Sequence, residues 1–255
     1  MFNFKKKFGQ NFLSDKNLLS AIVTDAGITQ DDVVLEIGAG AGALTKELST
    51  RAKKVVSYEI DLDLKETLER ENLENVQFVF TDFMKEDMKK VEKNLSSFKV
   101  VANLPYYITT PIIFKLLEES EALTSLTIMV QKEVAERIVA KAGGKDYGIL
   151  TVMIAFYGEA KITRIVKRDM FYPAPNVDSA VVRIDKKTRF DVDKDRFSKF
   201  VKASFSMRRK TLLNNLSTLY SKEKLKQTFS DDFLKKRAES ISIEEFVEAF
   251  KKLEN

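Results

Sequence analysis

From Val33 onward, short runs rich in β-branched residues alternate with amphipathic segments, the pattern of an α/β domain built on a mostly parallel sheet. Strands are expected over 33–37, 54–59, 76–80, 99–102 and 125–130, with helices between them over 43–48, 61–69, 110–118 and 132–140. An earlier helix is expected over 14–26, capped by Ser14 or Asp15. Segments 160–166 and 179–184 flank the turn-rich FYPAPNVD and suit a hairpin that closes the sheet. Beyond residue 184 the β-branched density falls and helical spacing takes over. Phe197, Phe200, Val201, Ser204 and Phe205 share one helical face, and Ile243, Phe246, Val247 and Phe250 share another. The expected organisation is therefore a catalytic domain over 1–185 and a small all-helical domain over 186–255, with no internal repeat.

At 255 residues and 44% hydrophobic content, the chain can bury a sizeable core. It has no apolar run near the roughly 18–20 residues needed to cross a bilayer, and its start, MFNFKKKFGQNF, lacks the apolar stretch of a signal peptide. A cytoplasmic location is expected. Cysteine and histidine are both absent, which removes disulfides, thiolate and imidazole metal sites, cysteine nucleophiles and the Ser-His-Asp arrangement. The chemistry must run with little acid–base assistance, and no metal is expected. Net charge is +5, but residues 186–237 hold sixteen Lys or Arg against six Asp or Glu, so the remainder is net acidic. Such asymmetry suits a surface for a polyanion, although charge alone fits a solvated helical face as well.

Strand, then EIGAGAG, then helix is an arrangement in which the backbone approaches a nucleotide-like ligand closely, because a side chain at Gly38 or Gly40 would obstruct it. The loop is ambiguous by itself, since Gly38, Gly40 and Ala43 also fit the loose dinucleotide fingerprint of nicotinamide enzymes. Glu59 closes the next expected strand, where a carboxylate can accept from both ribose hydroxyls of an adenosine. Asp82 is expected to end the third strand, where its carboxylate can accept from an adenine amino group.

NLPYYITTP, beginning at Asn103, narrows the chemistry because N-L-P-Y resembles the N/D-P-P-Y motif of amino-methyltransferases. The exocyclic amine of adenine is a poor nucleophile, its lone pair being delocalised into the ring. Two acceptors, the Asn103 side-chain oxygen and the Leu104 carbonyl, can hold both amine hydrogens, favour a pyramidal nitrogen and stabilise the positive charge that develops on it. Pro105 would stiffen the loop and Tyr106 could stack on the base. In FYPAPNVDSAVV, Phe171 is the candidate for the opposite face of a flipped adenine, with ordinary core packing as its alternative.

With these residues in place, nearly the whole chain resembles the rRNA adenine dimethyltransferases. The resemblance runs through KKKFGQNFLSD, VVLEIGAGAGALT, VVSYEID, NLPYYITTPI, MVQKEVAERI, FYPAPNVDSAVVRI, FSMRRKTLLNNL and RAESISIEEF. It implies a seven-stranded Rossmann-like sheet that binds S-adenosylmethionine, followed by a small helical domain that binds RNA. It also implies a cofactor site made of Asn11, Leu13, Gly38, Glu59, Asp82 and Asn103; Asn11 and Leu13 rest on the resemblance alone. Lys5, Lys6, Lys7, Arg208, Arg209 and Lys210 become candidate RNA contacts. YYITTP, VDSAVV and RRKTLLNNL are similar to the KsgA-type branch, which methylates two adjacent adenines near the 3′ end of 16S rRNA in the small ribosomal subunit and acts in ribosome biogenesis. The chain is expected to act as a monomer. It departs from the branch in its compact C-terminal region and in Thr81, where a glycine often precedes the aspartate. The alternatives are an Erm-type enzyme acting on 23S rRNA, an RNA-binding assembly factor without catalysis and, from the loop alone, a nicotinamide oxidoreductase.

Overall fold

The computed structural model describes residues 12–13 and 15–254. They form two compact units, one made of the described residues up to 135 together with 161–186, the other of 136–160 and 187–254. The second unit is thus discontinuous in sequence, whereas the periodicity suggested a single division before residue 186. The difference comes from α7 (Ile149–Tyr157), which buries Leu150, Val152, Met153, Ile154, Phe156 and Tyr157. A helix apolar on nearly every side shows no amphipathic period and cannot be recognised as helical by its pattern.

The first unit opens with β1 (Phe12–Leu13) and α1 (Lys16–Asp25). Asp15 caps α1, its carboxylate accepting from the Leu18 N–H at 2.8 Å, and the alternative cap, Ser14, lies outside the described residues. Then follow β2 (Val33–Ile37), α2 (Ala43–Ser49), β3 (Lys54–Glu59), α3 (Lys65–Glu69), β4 (Val76–Phe80), α4 (Met88–Glu92), β5 (Phe98–Asn103), α5 (Tyr106–Glu119), β6 (Leu123–Gln131) and α6 (Lys132–Ile138). After α7, the chain returns through β7 (Gly158–Val166), β8 (Phe171–Tyr172) and β9 (Ser179–Lys186).

The main sheet has seven strands in the order β4-β3-β2-β5-β6-β9-β7. Pairing is parallel from β4 through β6, while β9 runs antiparallel to β6, with Gln131 opposite Ser179. Val34, Leu35, Val100 and Val101 are almost fully enclosed, as expected of central parallel strands covered on both faces. The strand order reverses between β2 and β5, and the crevice at such a switch point is where α/β sheets bind ligands.

Helix α4 lies where no helix was expected, and two of the expected helices begin differently. The segment 61–69 begins as a 3₁₀ turn over Leu62–Leu64, because the Asp61 carboxylate accepts from the Asp63 N–H at 3.2 Å before α3 starts. Helix α5 starts at Tyr106, four residues early, and runs through Pro111. The proline has no N–H to give the Tyr107 carbonyl, so one helical hydrogen bond is lost near the N-terminus, where the interruption costs least.

In the second unit, α8 (Lys194–Ser204), α9 (Leu212–Leu216), α10 (Lys222–Thr228), α11 (Asp231–Lys235) and α12 (Ile243–Glu254) follow. Their core is aromatic. Phe197 stacks on Phe156 at 4.6 Å between centroids and meets Phe250 edge-on at 5.5 Å, while Phe205 stacks on Phe246 at 5.7 Å. Among the described residues no helix is long and apolar enough to cross a membrane.

Candidate active site

A cavity of about 550 Å³ opens at the carboxyl ends of the parallel strands. Gly38, Glu59, Asp82, Asn103, Leu104, Pro105, Tyr106, Phe171 and Leu13 all line it, so the fold gathers these sequence candidates in one place. Asn11, Lys5, Lys6 and Lys7 lie outside the described residues. Arg208, Arg209 and Lys210 belong to the second unit and do not line this cavity.

Three glycines shape the floor. Gly38, Gly40 and Gly42 have φ of +83°, +55° and +80°, the left-handed region that side chains disfavour. The Gly38 and Ala39 N–H groups donate to the Tyr58 carbonyl at 2.8 and 3.1 Å, which folds the loop back over β3. A Cβ on Gly38 would stand 3.5 Å from the Asn103 carbonyl oxygen, so the β2 and β5 loops face each other at contact distance across the switch point.

Glu59 is 3% exposed and anchors this loop, accepting from the Gly40 N–H at 2.7 Å and the Asp61 N–H at 2.8 Å. A carboxylate offers about four acceptor positions, so capacity remains for ribose hydroxyls after both backbone bonds are made. Asp82 lies two residues past β4 rather than at its end, and caps the next turn by accepting from the Met84 N–H at 3.0 Å. Ile60, Phe83, Leu44 and Ile112 supply apolar wall between these acids. A largely apolar cleft of this size with a few fixed acceptors suits an adenosine-sized ligand, and the left-handed glycines leave its floor free of side chains.

Behind the loop, Glu36 on β2 is fully buried and accepts from the hydroxyls of Thr45 on α2 at 2.6 Å and Ser57 on β3 at 2.5 Å. Burial pushes its carboxyl up to about 7, against the pull of the two hydroxyls and with a further push from Glu59. Its other oxygen, Oε1, has no hydrogen-bond partner. The three side chains fasten the strand before the loop to the helix after it. Sequence reading passed over them, because an acid within an apolar run gives no sign of which hydroxyls will meet it.

At the other wall, Asn103 ends β5 opposite Met129, and Pro105 occupies the N-cap of α5. The Tyr106 hydroxyl shares a hydrogen bond of 2.8 Å with Ser179, itself wholly buried at the start of β9. Ser179 was visible only as part of VDSAVV, and the fold gives it the task of fixing the tyrosine. Phe171, 5% exposed, belongs to the hydrophobic cluster of Leu13, Leu19 and Ile22, as ordinary core packing requires, and also lines the cavity. Strand β8 that carries it pairs antiparallel with β1, placing Phe171 opposite Leu13. Four further aromatics that the motifs did not single out line the cavity: Tyr58 and Phe83, both buried, and Tyr107 and Tyr172, 67% and 69% exposed. Among the described residues there is no cluster of three or more acids that could hold a metal ion.

In the second unit, Asn215 holds the Arg208–Lys210 turn, its amide donating to the carbonyls of Ser204 at 2.6 Å and Met207 at 3.2 Å. Arg208 bonds to Glu239 at 3.4 Å and to the Lys145 carbonyl at 3.2 Å, while Arg209 and Lys210 are exposed.

Comparison with known proteins agrees with this architecture. The family model described as ribosomal RNA adenine dimethylase matches residues 1–255. The ribosomal RNA small subunit methyltransferase A of Bacillus licheniformis is 46% identical, over 96% of this chain and 89% of its own. That of Clostridium acetobutylicum is also 46% identical, over 96% of this chain and 92% of its own. Among solved structures, a dimethyladenosine transferase from Plasmodium falciparum superposes with a TM-score of 0.82 at 28% identity, covering 95% of this chain and 98% of that one. The 23S rRNA methyltransferase ErmE superposes with a TM-score of 0.75 at 28% identity, covering 96% of this chain and 100% of that one. A match over the full length, together with a switch-point cavity lined by NLPY, shows that the chain belongs to the ribosomal RNA adenine dimethylase family of methyltransferases.

Proposed function

We propose that this protein transfers methyl groups from S-adenosylmethionine to the N6 amines of two adjacent adenines near the 3′ end of small-subunit ribosomal RNA. The observation that carries the reading is the meeting of Asn103 and Leu104 with Gly38 at one end of the cavity and with Tyr106 and Phe171 around it. Gly38, Glu59, Asp82, Leu13 and Asn103 would hold the donor, whose sulfonium supplies an electrophilic methyl group. Asn11 would join them.

The remaining work falls to the chain's own groups. Tyr106 and Phe171 hold the target base between them, each stack contributing roughly 1–3 kcal/mol towards the cost of flipping it. The Asn103 side-chain oxygen and the Leu104 carbonyl accept the two amine hydrogens, which frees the nitrogen lone pair and stabilises its growing charge. As the N–C bond forms and the S–C bond breaks, the alkylated nitrogen becomes acidic and releases its proton to water. No histidine or cysteine is needed, and the chain has neither. For the second methyl only one N–H remains, so a single acceptor suffices. Arg209 and Lys210, with Arg208 and Lys5 to Lys7, would contact RNA phosphates.

Asn103→Ala is expected to abolish transfer of labelled methyl to small ribosomal subunits while calorimetry still detects donor binding. Full activity in that variant would overturn the mechanism. The likeness to ErmE supports a second reading, methylation of the large subunit. Mass mapping of methylated nucleotides after incubation with each separated subunit decides between them, and label confined to the large subunit would overturn the first.

A further inference from the structure

Tyr58 and Phe83 are buried in the cavity wall, and four further aromatic side chains that line it, at positions 106–107 and 171–172, divide sharply by exposure. Phe171 is 5% exposed, and the half-buried Tyr106 is tied by its hydroxyl to Ser179. Tyr107 and Tyr172 are 67% and 69% exposed. Local geometry produces the division. Tyr106 and Tyr107 are the first two residues of α5, where successive side chains are turned by about 100°. Phe171 and Tyr172 are the two residues of β8, where successive side chains point to opposite faces. Each inner ring therefore has an outer ring at the next position, one on either element.

Large exposed aromatic surface at the edge of a cleft is a feature of binding sites rather than of a fold's own packing. We propose that Tyr107 and Tyr172 form an outer subsite that stacks an unpaired nucleobase, that of the nucleotide adjacent to the target adenine. The inference rests on the RNA-modifying reading of the cavity. Drawing one base out of an RNA strand deprives its neighbour of a stacking partner, and an aromatic face restores that interaction whatever the base. The neighbour is also tied covalently to the target, so once the target enters the cavity it is confined beside the rim at high effective concentration. A base fits the rim better than a phosphate, since the two rings offer flat apolar faces and no positive charge.

The test uses small ribosomal subunits reconstituted with rRNA that is complete, or abasic at the nucleotide on the 5′ or the 3′ side of the target. On complete subunits, Tyr107→Ala and Tyr172→Ala should each raise KM by about tenfold with little change in kcat, as expected when one stack is removed. Tyr107→Phe and Tyr172→Phe should restore the wild-type value. On one abasic substrate, wild type should show the same rise and the alanine variants no further rise. An unchanged KM, phenylalanine variants as impaired as alanine ones, or an equal loss on complete and abasic RNA would each overturn the outer subsite. Failure of the wild-type protein to methylate complete subunits would instead overturn the reading on which it rests.

Discussion

Glu36 shows how one residue behind the glycine loop can make stability depend on pH. It is fully buried on β2 and holds Thr45 and Ser57, with its carboxyl pushed up to about 7 from an ordinary value of 4.5. A raised carboxyl binds its proton more tightly in the folded state than in the unfolded one. Its contribution is therefore complete below the unfolded value and is lost as pH rises from about 4.5 through about 7. The swing is on the order of 3 kcal/mol. Glu36→Gln keeps a neutral acceptor for both hydroxyls and carries no charge at any pH. Denaturant titrations at pH 5, 6, 7 and 8 should show a flatter stability profile in the variant, with its advantage greatest at pH 8. Parallel profiles would mean that another group governs the dependence.

At the level of elements, the β2–α2 connection works because its glycines can take conformations that other residues resist. Gly38 has φ of +83°, and an added Cβ would stand at an ordinary 3.5 Å from the Asn103 oxygen, so backbone strain rather than a clash decides the outcome. Gly38→Ala should cost about 1–2 kcal/mol of stability. Donor binding measured by calorimetry should weaken as the loop shifts. Wild-type values for both would show that the turn tolerates a side chain. Helix α5 makes a related point, since a start at Tyr106 places Pro111 within the helix, yet it brings Tyr106 into reach of Ser179. One tertiary hydrogen bond and the burial of Ile112, Ile113 and Leu116 outweigh the local preference to begin later.

Over the whole molecule, charge and chemistry are divided along the chain. The cavity belongs to the first unit, and the whole excess of positive charge falls in residues 186–237. Arg208 already has partners in Glu239 and the Lys145 carbonyl, so its replacement would mix structural and electrostatic effects. Arg209→Glu and Lys210→Glu make the cleaner test. Each should weaken binding to small-subunit RNA and lower the slope of log affinity against log salt by about 0.7–0.9 for each phosphate that is no longer neutralised. Unchanged slopes would assign the pair to solvation alone.

The parallel sheet, the glycine loop, the two acids near strand ends and the NLPY segment are all legible in the chain read as text. Each of these is a local pattern of alternation, conformational need or chemistry that a short stretch expresses without help. Tertiary structure alone decided which distant groups meet: Glu36 with Thr45 and Ser57, Tyr106 with Ser179, and Gly38 with Asn103. It also decided that the apolar segment 149–157 is a helix grouped with residues 187–254, because a segment buried on all sides shows no period from which to read its form. Long-range pairings depend on strand order and crossover, and a strand's own residues do not specify its neighbours in the sheet.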